Sequence, residues 1–208
     1  MYIYGGIDIK EGPLGDLYSI NLSSNSPEWR KINLKGDFPK NIYRHSGALK
    51  DDIFFVIGGM SEMDSTNQIY SINMKTWTSE LIETKGQKIL KMDSNTSAIS
   101  GNNIYVFGGY ISYEKSNKTF TFNIEDHSWE HFKTVGKMPP KRSNHSASIF
   151  ANQMYIFGGS NHLNEKLNDL WVLNLVNKEW KKIESIDVPL VILKRQGQDI
   201  LQICLARK

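Results

Sequence analysis

The feature that most constrains this chain is a short aromatic and β-branched run that ends in a pair of glycines. It occurs four times, with the doublets at Gly5-Gly6, Gly58-Gly59, Gly108-Gly109 and Gly158-Gly159. Successive doublets are 53, 50 and 50 residues apart, and a fixed period of this length indicates a repeat architecture. Each run is too short for a helix and is rich in residues that favour pleated structure, so it predicts a buried strand that glycine ends.

The same plan surrounds each doublet. A strand of small and polar residues precedes the doublet strand, an aromatic-rich strand follows it, and a tryptophan begins the last strand of the unit. The first unit starts directly with the doublet strand, and no long helical periodicity interrupts any unit. We therefore expect four-stranded antiparallel sheets at residues 43–82, 95–133 and 144–184, and a three-stranded sheet at residues 2–32.

This plan resembles that of kelch repeats. The doublet strand, the tryptophans Trp29, Trp77, Trp129 and Trp180, and the approach Pro140…Arg142…His145 carry the resemblance, which covers residues 1 to about 185. It implies an all-β fold, a kelch-type β-propeller with blades of four antiparallel strands around a central channel. The expected blades are residues 1–35, 43–84, 95–135 and 144–185. The sequence departs from the pattern at Asn95, where histidine would stand, and at Gln68 and Lys118, where aspartate would stand.

Four units are fewer than the five to seven blades that the resemblance implies for a closed ring, so we expect a partial or open propeller. The favoured explanation is a fragment of a longer propeller. The alternatives are an open arc that pairs with another chain, and a ring that Val188–Leu193 closes by adding a strand to the first unit. Residues 186–208 do not follow the repeat, and the period does not decide whether 200–207 form a strand or a short helical segment.

Composition excludes several classes of function. The net charge is only +3 and the lysines and arginines are scattered, so no nucleic-acid partner is expected. The single cysteine, Cys204, cannot form an internal disulfide, which favours a reducing compartment. No run of 18 apolar residues is present, so no membrane span is expected and the protein is predicted to be cytoplasmic.

The sequence offers no clear catalytic constellation. No nucleophile motif or phosphate-binding glycine loop occurs, and no cofactor, metal or catalytic residue is expected. His45 and His145 occupy equivalent positions, and we interpret them as structural groups that hydrogen-bond a neighbouring backbone. Arg44 and Arg142 lie nearby without an evident acidic partner, which argues against acid–base chemistry. The remaining histidines, His127, His131 and His162, are expected to be solvated.

The loops after the doublets, residues 7–16, 60–67, 110–117 and 160–168, should leave the propeller on one face. Divergent loops on a rigid frame are the usual construction of a recognition surface. The candidate partner-binding residues are Tyr110, Tyr113, Asn161, His162, Asn164 and Glu165. The expected function is a non-enzymatic scaffold or adaptor that binds a protein partner. The alternatives are a kelch-propeller enzyme, such as a sugar mutarotase or an oxidase-like protein, and a fragment without independent function.

Overall fold

The computed structural model describes residues 1–62 and 64–184, and all regular structure in this part of the chain is β-strand. Six sheets form in the described residues, of which four follow one another along the chain as blades, named I to IV, and two small ones lie at the hairpins after the doublets. Blade I has three antiparallel strands, which are Tyr2–Asp8, Gly12–Ile20 and Trp29–Ile32. No helix in the described residues is long and apolar enough to cross a bilayer.

Blades II to IV each contain four antiparallel strands that run from the innermost to the outermost position, which confirms the predicted fold class. In blade II these are Ser46–Lys50, Ile53–Ile57, Ile69–Asn73 and Thr78–Leu81. In blade III they are Thr96–Ser100, Asn103–Phe107, Thr119–Asn123 and Ser128–His131. In blade IV they are Ser146–Phe150, Gln153–Phe157, Leu170–Asn174 and Glu179–Ile183.

Each complete blade also has a fifth strand that the sequence analysis did not predict. It is a two-residue strand, Lys35–Gly36, Lys85–Gly86 or Val135–Gly136, in the linker that arrives from the preceding blade. It pairs in parallel with the outermost strand and covers part of that exposed edge. The glycines of these strands are 50 residues apart, so the repeat did carry a signal. A Cβ on Gly86 would lie 2.6 Å from the carbonyl oxygen of Trp129.

The core lies between neighbouring blades. The innermost strand of blade III contacts the innermost strands of both blade II and blade IV, which places the three side by side. Apolar side chains fill the spaces between the sheets in three clusters. Trp129 and Trp180 are fully enclosed in two of them, with 3% and 2% of their surface exposed, whereas the equivalent Trp29 of blade I is 46% exposed. In blade II, Trp77 does not begin the outermost strand as predicted but lies in the turn before it, and Ser79 occupies the position of Trp129. The repeated tryptophan is therefore a core residue in blades III and IV only.

The glycine doublets are explained by close backbone approach. In blades I to III the first glycine of the doublet faces the approach to the next blade, so that a Cβ on Gly58 would lie 2.6 Å from the carbonyl oxygen of Met92. The second faces the approach to its own blade, so that a Cβ on Gly109 would lie 2.4 Å from the carbonyl oxygen of Asp93. Both backbones have positive φ, +60° and +76°. Any side chain at these positions would push apart the segments that set the spacing of the blades.

Arg142 has an acidic partner, contrary to the sequence-based expectation. Its side chain is fully buried and donates two parallel hydrogen bonds to Asp169, of 2.7 and 2.8 Å. It also donates to the carbonyl oxygen of Gly158 at 2.9 Å, and Trp171 Nε1 donates to Asp169 at 2.7 Å. Burial disfavours the charged carboxylate, but the hydrogen bonds from Arg142 and Trp171 outweigh it and lower the pKa of Asp169. This pair joins the approach segment of blade IV to its third strand.

The assignments that concern residues 186–208, including the ring-closing strand and the alternatives for 200–207, lie outside the described residues.

Candidate partner-binding face

The loops that follow the doublets and the ends of the linkers between blades lie on the same side of the propeller. Tyr43, at the end of one linker, and Met60, which follows a doublet, exchange two backbone hydrogen bonds of 3.0 and 2.7 Å. Between blades III and IV, Gly109 N donates to the carbonyl oxygen of Arg142, at the end of the linker that enters blade IV, at 2.8 Å. We call this side the doublet face, and define it as residues 5–16, 58–62, 64–68, 108–118 and 158–169 with the linker ends 37–44, 87–94 and 137–144.

The segments after the doublets are more regular than loops. Residues 7–16 were expected to form a loop, but all of them except 9–11 belong to the two paired strands of blade I. Met60–Ser61 pairs with Asp64–Ser65, and Tyr110–Ile111 pairs with Glu114–Lys115. Ser160 forms a bridge with Lys166. The doublet face is thus built from short hairpins that project from a rigid frame.

Tyr113 lies at the tip of the blade III hairpin, and 69% of its surface is exposed. Its hydroxyl donates a hydrogen bond of 2.8 Å to Asp64 Oδ1 in the hairpin of blade II. Lys91, in the linker between these blades, forms an ion pair with the same carboxylate. The bonds from Lys91 and then Tyr113 lower the pKa of Asp64, and the bond to Asp64 raises the pKa of Tyr113. Asp64, which also pairs with Lys91, therefore holds the tyrosine hydroxyl, while most of the tyrosine surface stays open to solvent.

Lys115 joins the hairpin of blade III to the loop of blade IV. Its side chain is buried, and its ammonium donates to the carbonyl oxygen of Asn161 at 2.6 Å, to Asn164 Oδ1 at 2.8 Å and to Ser160 Oγ at 3.2 Å. It also lies 5.5 Å from the centre of the Tyr110 ring, a cation–π distance. A buried ammonium needs all of its donors satisfied, so Lys115 fixes the shape of the loop that it reaches.

The structure brings four of the six predicted partner-binding residues together around Lys115. Tyr110, Asn161 and Asn164 contact it directly, and Asn161 Nδ2 donates to Glu165 Oε2 at 2.7 Å. Tyr113 lies apart from them, at the boundary of blades II and III, and His162 lies at the exposed tip of the blade IV loop. Sequence reasoning missed Lys115, Asp64 and Lys91. No sequence signal distinguishes them, because surface hairpins normally contain solvated lysine and aspartate.

A second repeated element lies directly before the innermost strands of blades II to IV. Arg44, Ser94 and Asn144 are 50 residues apart and all have a positive φ between 53° and 55°. Ser94 N donates to the carbonyl oxygen of Arg44 at 2.8 Å, and Asn144 N donates to that of Ser94 at 3.1 Å. These backbone hydrogen bonds therefore join the starts of the innermost strands of blades II to IV to one another in series.

Asp93, next to Ser94 in the chain, is a buried carboxylate with 4% of its surface exposed. It accepts hydrogen bonds from Ser65 Oγ at 2.8 Å and from Ser94 Oγ at 2.9 Å. Arg44 Nη1 lies 3.9 Å from its Oδ1, so Arg44 also has an acidic neighbour that the sequence analysis did not identify. The hydroxyls and the guanidinium together compensate the buried charge.

His45 and His145 are enclosed between blades rather than open to the channel. His145 Nε2 lies 2.7 Å from Thr96 Oγ1 in the neighbouring innermost strand, and its ring packs edge-on against Phe107 at 5.2 Å. The His45 ring packs in the same way against Tyr4 at 5.7 Å. Burial lowers the pKa of His45 to about 4 and that of His145 to about 3. Within residues 1–62 and 64–184, no three His, Cys, Asp or Glu side chains are grouped closely enough to hold a metal ion.

Comparison with known protein families agrees with this architecture. Residues 1–110 and 94–196 match the model of the KLHDC2/KLHL20/DRC7 kelch-repeats domain, which together cover most of the chain. The chain therefore belongs to the kelch-repeat family, as the glycine doublets and tryptophans predicted.

Individual similar proteins show how much of their length this chain matches. The chain is 30% identical over 78 residues to the leucine-zipper-like transcriptional regulator 1 homolog of Drosophila melanogaster, a match that covers 38% of this chain and 8% of that protein. Among solved structures, YjhT superimposes with a TM-score of 0.69 at 14% identity, over 89% of this chain and 66% of that one. At this level of identity the second match shows the fold alone. The chain thus spans a small part of the first relative and about two thirds of the second.

Proposed function

We propose that this chain is a protein-interaction module that binds a protein partner through the doublet face, with Tyr113 as a principal anchor. The observation that supports this most directly is the state of Tyr113. Its ring is 69% exposed, while its hydroxyl is held by Asp64, so the side chain is presented in one orientation. Aromatic residues of this kind contribute a large share of the binding energy in protein interfaces.

The rigidity of the surrounding surface supports the same proposal. Asp64 and Lys91 link the hairpin of blade II to blade III, and Lys115 links the hairpin of blade III to the loop of blade IV. Ordering a flexible loop upon binding costs free energy, whereas a face whose hairpins are already tied to one another avoids most of that cost. Leu163, which is 65% exposed in the blade IV loop, adds apolar surface to the same face.

The proposal is tested by affinity capture followed by a quantitative binding measurement with the captured protein. Tyr113→Ala should weaken binding by about 1–3 kcal/mol, because it removes the exposed ring and leaves the blades intact. The matched control is Val176→Ala, which removes an exposed apolar side chain (75% exposed) from a turn on the opposite face. Equal affinity of Tyr113→Ala and wild type, with a loss of binding on Val176→Ala, would contradict the proposal.

A further inference from the structure

A small basic cleft lies at the edge of the doublet face, between the linker that enters blade III and the strands of that blade. It has a volume of about 100 Å³. Met92, Ile111 and Phe120 form its apolar surfaces, and Lys88, Lys118 and His131 bring basic groups to it. A cleft of this size accommodates a single side chain rather than a whole small-molecule ligand, for which several hundred Å³ is typical.

The repeat shows that the fold does not require these bases. The third strand of each complete blade is preceded by Gln68, Lys118 or Asp169, so blade III has a lysine where blade IV has an aspartate. In blade IV that aspartate neutralises Arg142, whose equivalent in blade III is the uncharged Met92. In blade III, therefore, Lys118 stands where blade IV has an acid, and no buried arginine is present among the described residues there that an acid would have to neutralise.

A second base, Lys88, also departs from the repeat, because it stands two residues after the linker strand and corresponds to Phe38 and Met138. The third, His131, pairs with Phe120 across the sheet and corresponds to Leu81 in blade II and to Lys182 in blade IV. Blade III is the only one of the three complete blades in the described residues that combines a base at all three positions.

The electrostatics of the cleft favour an anion. None of the residues that line it is acidic. Within the described residues, no ion pair joins Lys88 or Lys118 to a carboxylate. His131 is half-buried rather than solvated as the sequence analysis expected, and burial and then the charges of Lys118 and Lys133 lower its pKa. Like charges held together without a counter-charge are costly, and an anionic partner relieves that cost.

We propose that this cleft binds an acidic segment of a protein partner, with an aspartate or glutamate carboxylate held among Lys88, Lys118 and His131. A neighbouring apolar side chain of the segment packs on Leu90, which is 53% exposed at the rim. The apolar floor favours a peptide side chain over a free inorganic anion, because a small anion leaves Met92, Ile111 and Phe120 uncovered. The inference rests on the proposed function in that the occupant belongs to a protein partner, and it identifies the chemistry of that partner.

The test is selection of a randomised peptide display library on the full chain. Peptides that combine an aspartate or glutamate with an adjacent apolar residue should be enriched on the wild type. Lys118→Gln should lose that enrichment, and it should fold normally because Gln68 stands at the equivalent position of blade II. Lys75→Gln is the matched control, since it removes a lysine that pairs with Asp52 on the opposite face. Failure to enrich acidic peptides on the wild type, or equal enrichment on Lys118→Gln, would overturn the proposal.

A selected peptide, labelled with fluorescein, is then used to measure the Kd for the wild type and each variant by fluorescence polarisation. Lys118→Gln should raise its Kd about fivefold, as loss of one partly exposed charge pair does, and Lys75→Gln should leave it unchanged. Added salt should weaken binding to the wild type more than to Lys118→Gln. Complete displacement of the peptide by an equal concentration of inorganic phosphate would overturn the assignment to a peptide.

The same variants separate this inference from the proposed function. Loss of partner binding on Tyr113→Ala with full binding on Lys118→Gln would overturn the acidic-segment inference and leave the doublet face as the interaction surface. Selection of acidic peptides that depends on Lys118, with partner binding that is unaffected by Tyr113→Ala, would support the cleft and contradict the role of Tyr113.

Discussion

At the scale of single residues, the second glycine of the doublet in blades II to IV is needed because two backbone segments meet there. At Gly109 a Cβ would lie within 2.4–2.7 Å of the backbone of Asp93 and Asn95, so the substitution has to move the chain that leads into blade III. Gly101, in a turn of the same blade, also has a positive φ of +59° but has nothing within 4 Å of its Cβ position. The two glycines therefore separate the cost of close approach from the cost of backbone conformation.

We expect Gly109→Ala to lower the free energy of unfolding by at least about 3 kcal/mol, since it combines strain at positive φ with a clash against backbone. Gly101→Ala should cost only about 1–2 kcal/mol, the cost of the left-handed conformation alone. Chemical denaturation followed by fluorescence measures both values. Equal destabilisation by the two substitutions would show that the close approach at the doublet is not what requires glycine.

The buried histidines predict a pH dependence of stability at the same scale. Burial lowers the pKa of His145 from 6.5 to about 3, so the folded state keeps it neutral while the unfolded state takes up a proton below pH 6.5. The free energy of unfolding is therefore unaffected by His145 above that pH. It falls by about 1.4 kcal/mol per pH unit as the pH decreases from 6.5 towards 3, because only the unfolded state binds the proton. His45, with a pKa lowered to about 4, adds a similar slope over part of the range.

His145→Asn should reduce this slope to about half between pH 6 and pH 4.5. Asparagine is the natural residue at the equivalent position of blade III, where Asn95 Nδ2 donates to Ser46 Oγ at 2.8 Å. Denaturation midpoints across this pH range provide the measurement, and His162→Asn, at an exposed loop tip, is the control that should leave the slope unchanged. A slope that His145→Asn does not alter would place the titration elsewhere.

At the scale of elements, the outermost strand is held from two sides in each complete blade. The third strand pairs with it in antiparallel fashion, and the two-residue linker strand pairs with its other edge in parallel. In blade III this strand also contains Trp129, which packs at 5.2 Å from the Phe122 ring. The linker strand and the tryptophan therefore fix the same strand through its backbone and its side chain.

Trp129→Ala should cost about 3–5 kcal/mol because the ring is buried among core side chains. Trp29→Ala should cost about 1 kcal/mol or less, because nearly half of that ring is already exposed in blade I. Thermal or chemical unfolding of the two variants checks the comparison. A similar loss of stability for both would mean that the tryptophans stabilise blades I and III in the same way, whatever their exposure.

The sequence predicted the strands well where repeated residues, such as the glycine doublets, mark a fixed position in the backbone of each unit. The doublet strands, the four antiparallel strands of blades II to IV and the kelch family follow from periodic glycines and tryptophans, and all are confirmed. The two-residue linker strands were missed, because a strand of that length has no hydrophobic period of its own. The pairing of Arg142 with Asp169 was missed because a side-chain contact between residues 27 apart depends on how the segments fold.

The candidate site was less accessible from the sequence. Aromatic and polar residues in the divergent hairpins were a sufficient reason to name Tyr113 and Tyr110, but the structure separates them, with Tyr113 exposed on Asp64 and Tyr110 half-buried beside Lys115. Hydrogen bonds between hairpins of different blades depend on how the blades are arranged, which the sequence does not state. The role of the two tyrosines in partner binding stays a prediction.

At the scale of the whole molecule, the chain is a partial propeller whose two sides differ in character. On the opposite side, tight turns such as 73–77 and 123–127 are closed by asparagine side chains that accept backbone hydrogen bonds. On the doublet face, longer hairpins differ in sequence from blade to blade and are tied to one another by Asp64, Lys91 and Lys115. The repeat therefore builds the fixed frame, and the doublet face is the surface for which we propose partner recognition.

Site-specific photocrosslinking tests this assignment most directly. A photoreactive phenylalanine analogue is placed at position 113 in one variant and at position 176 on the opposite face in another, and each is irradiated with the protein partner obtained by affinity capture. We expect a covalent adduct with the partner from position 113 and none from position 176. An adduct from position 176 alone would contradict this assignment, because the partner would then lie on the opposite face of the propeller.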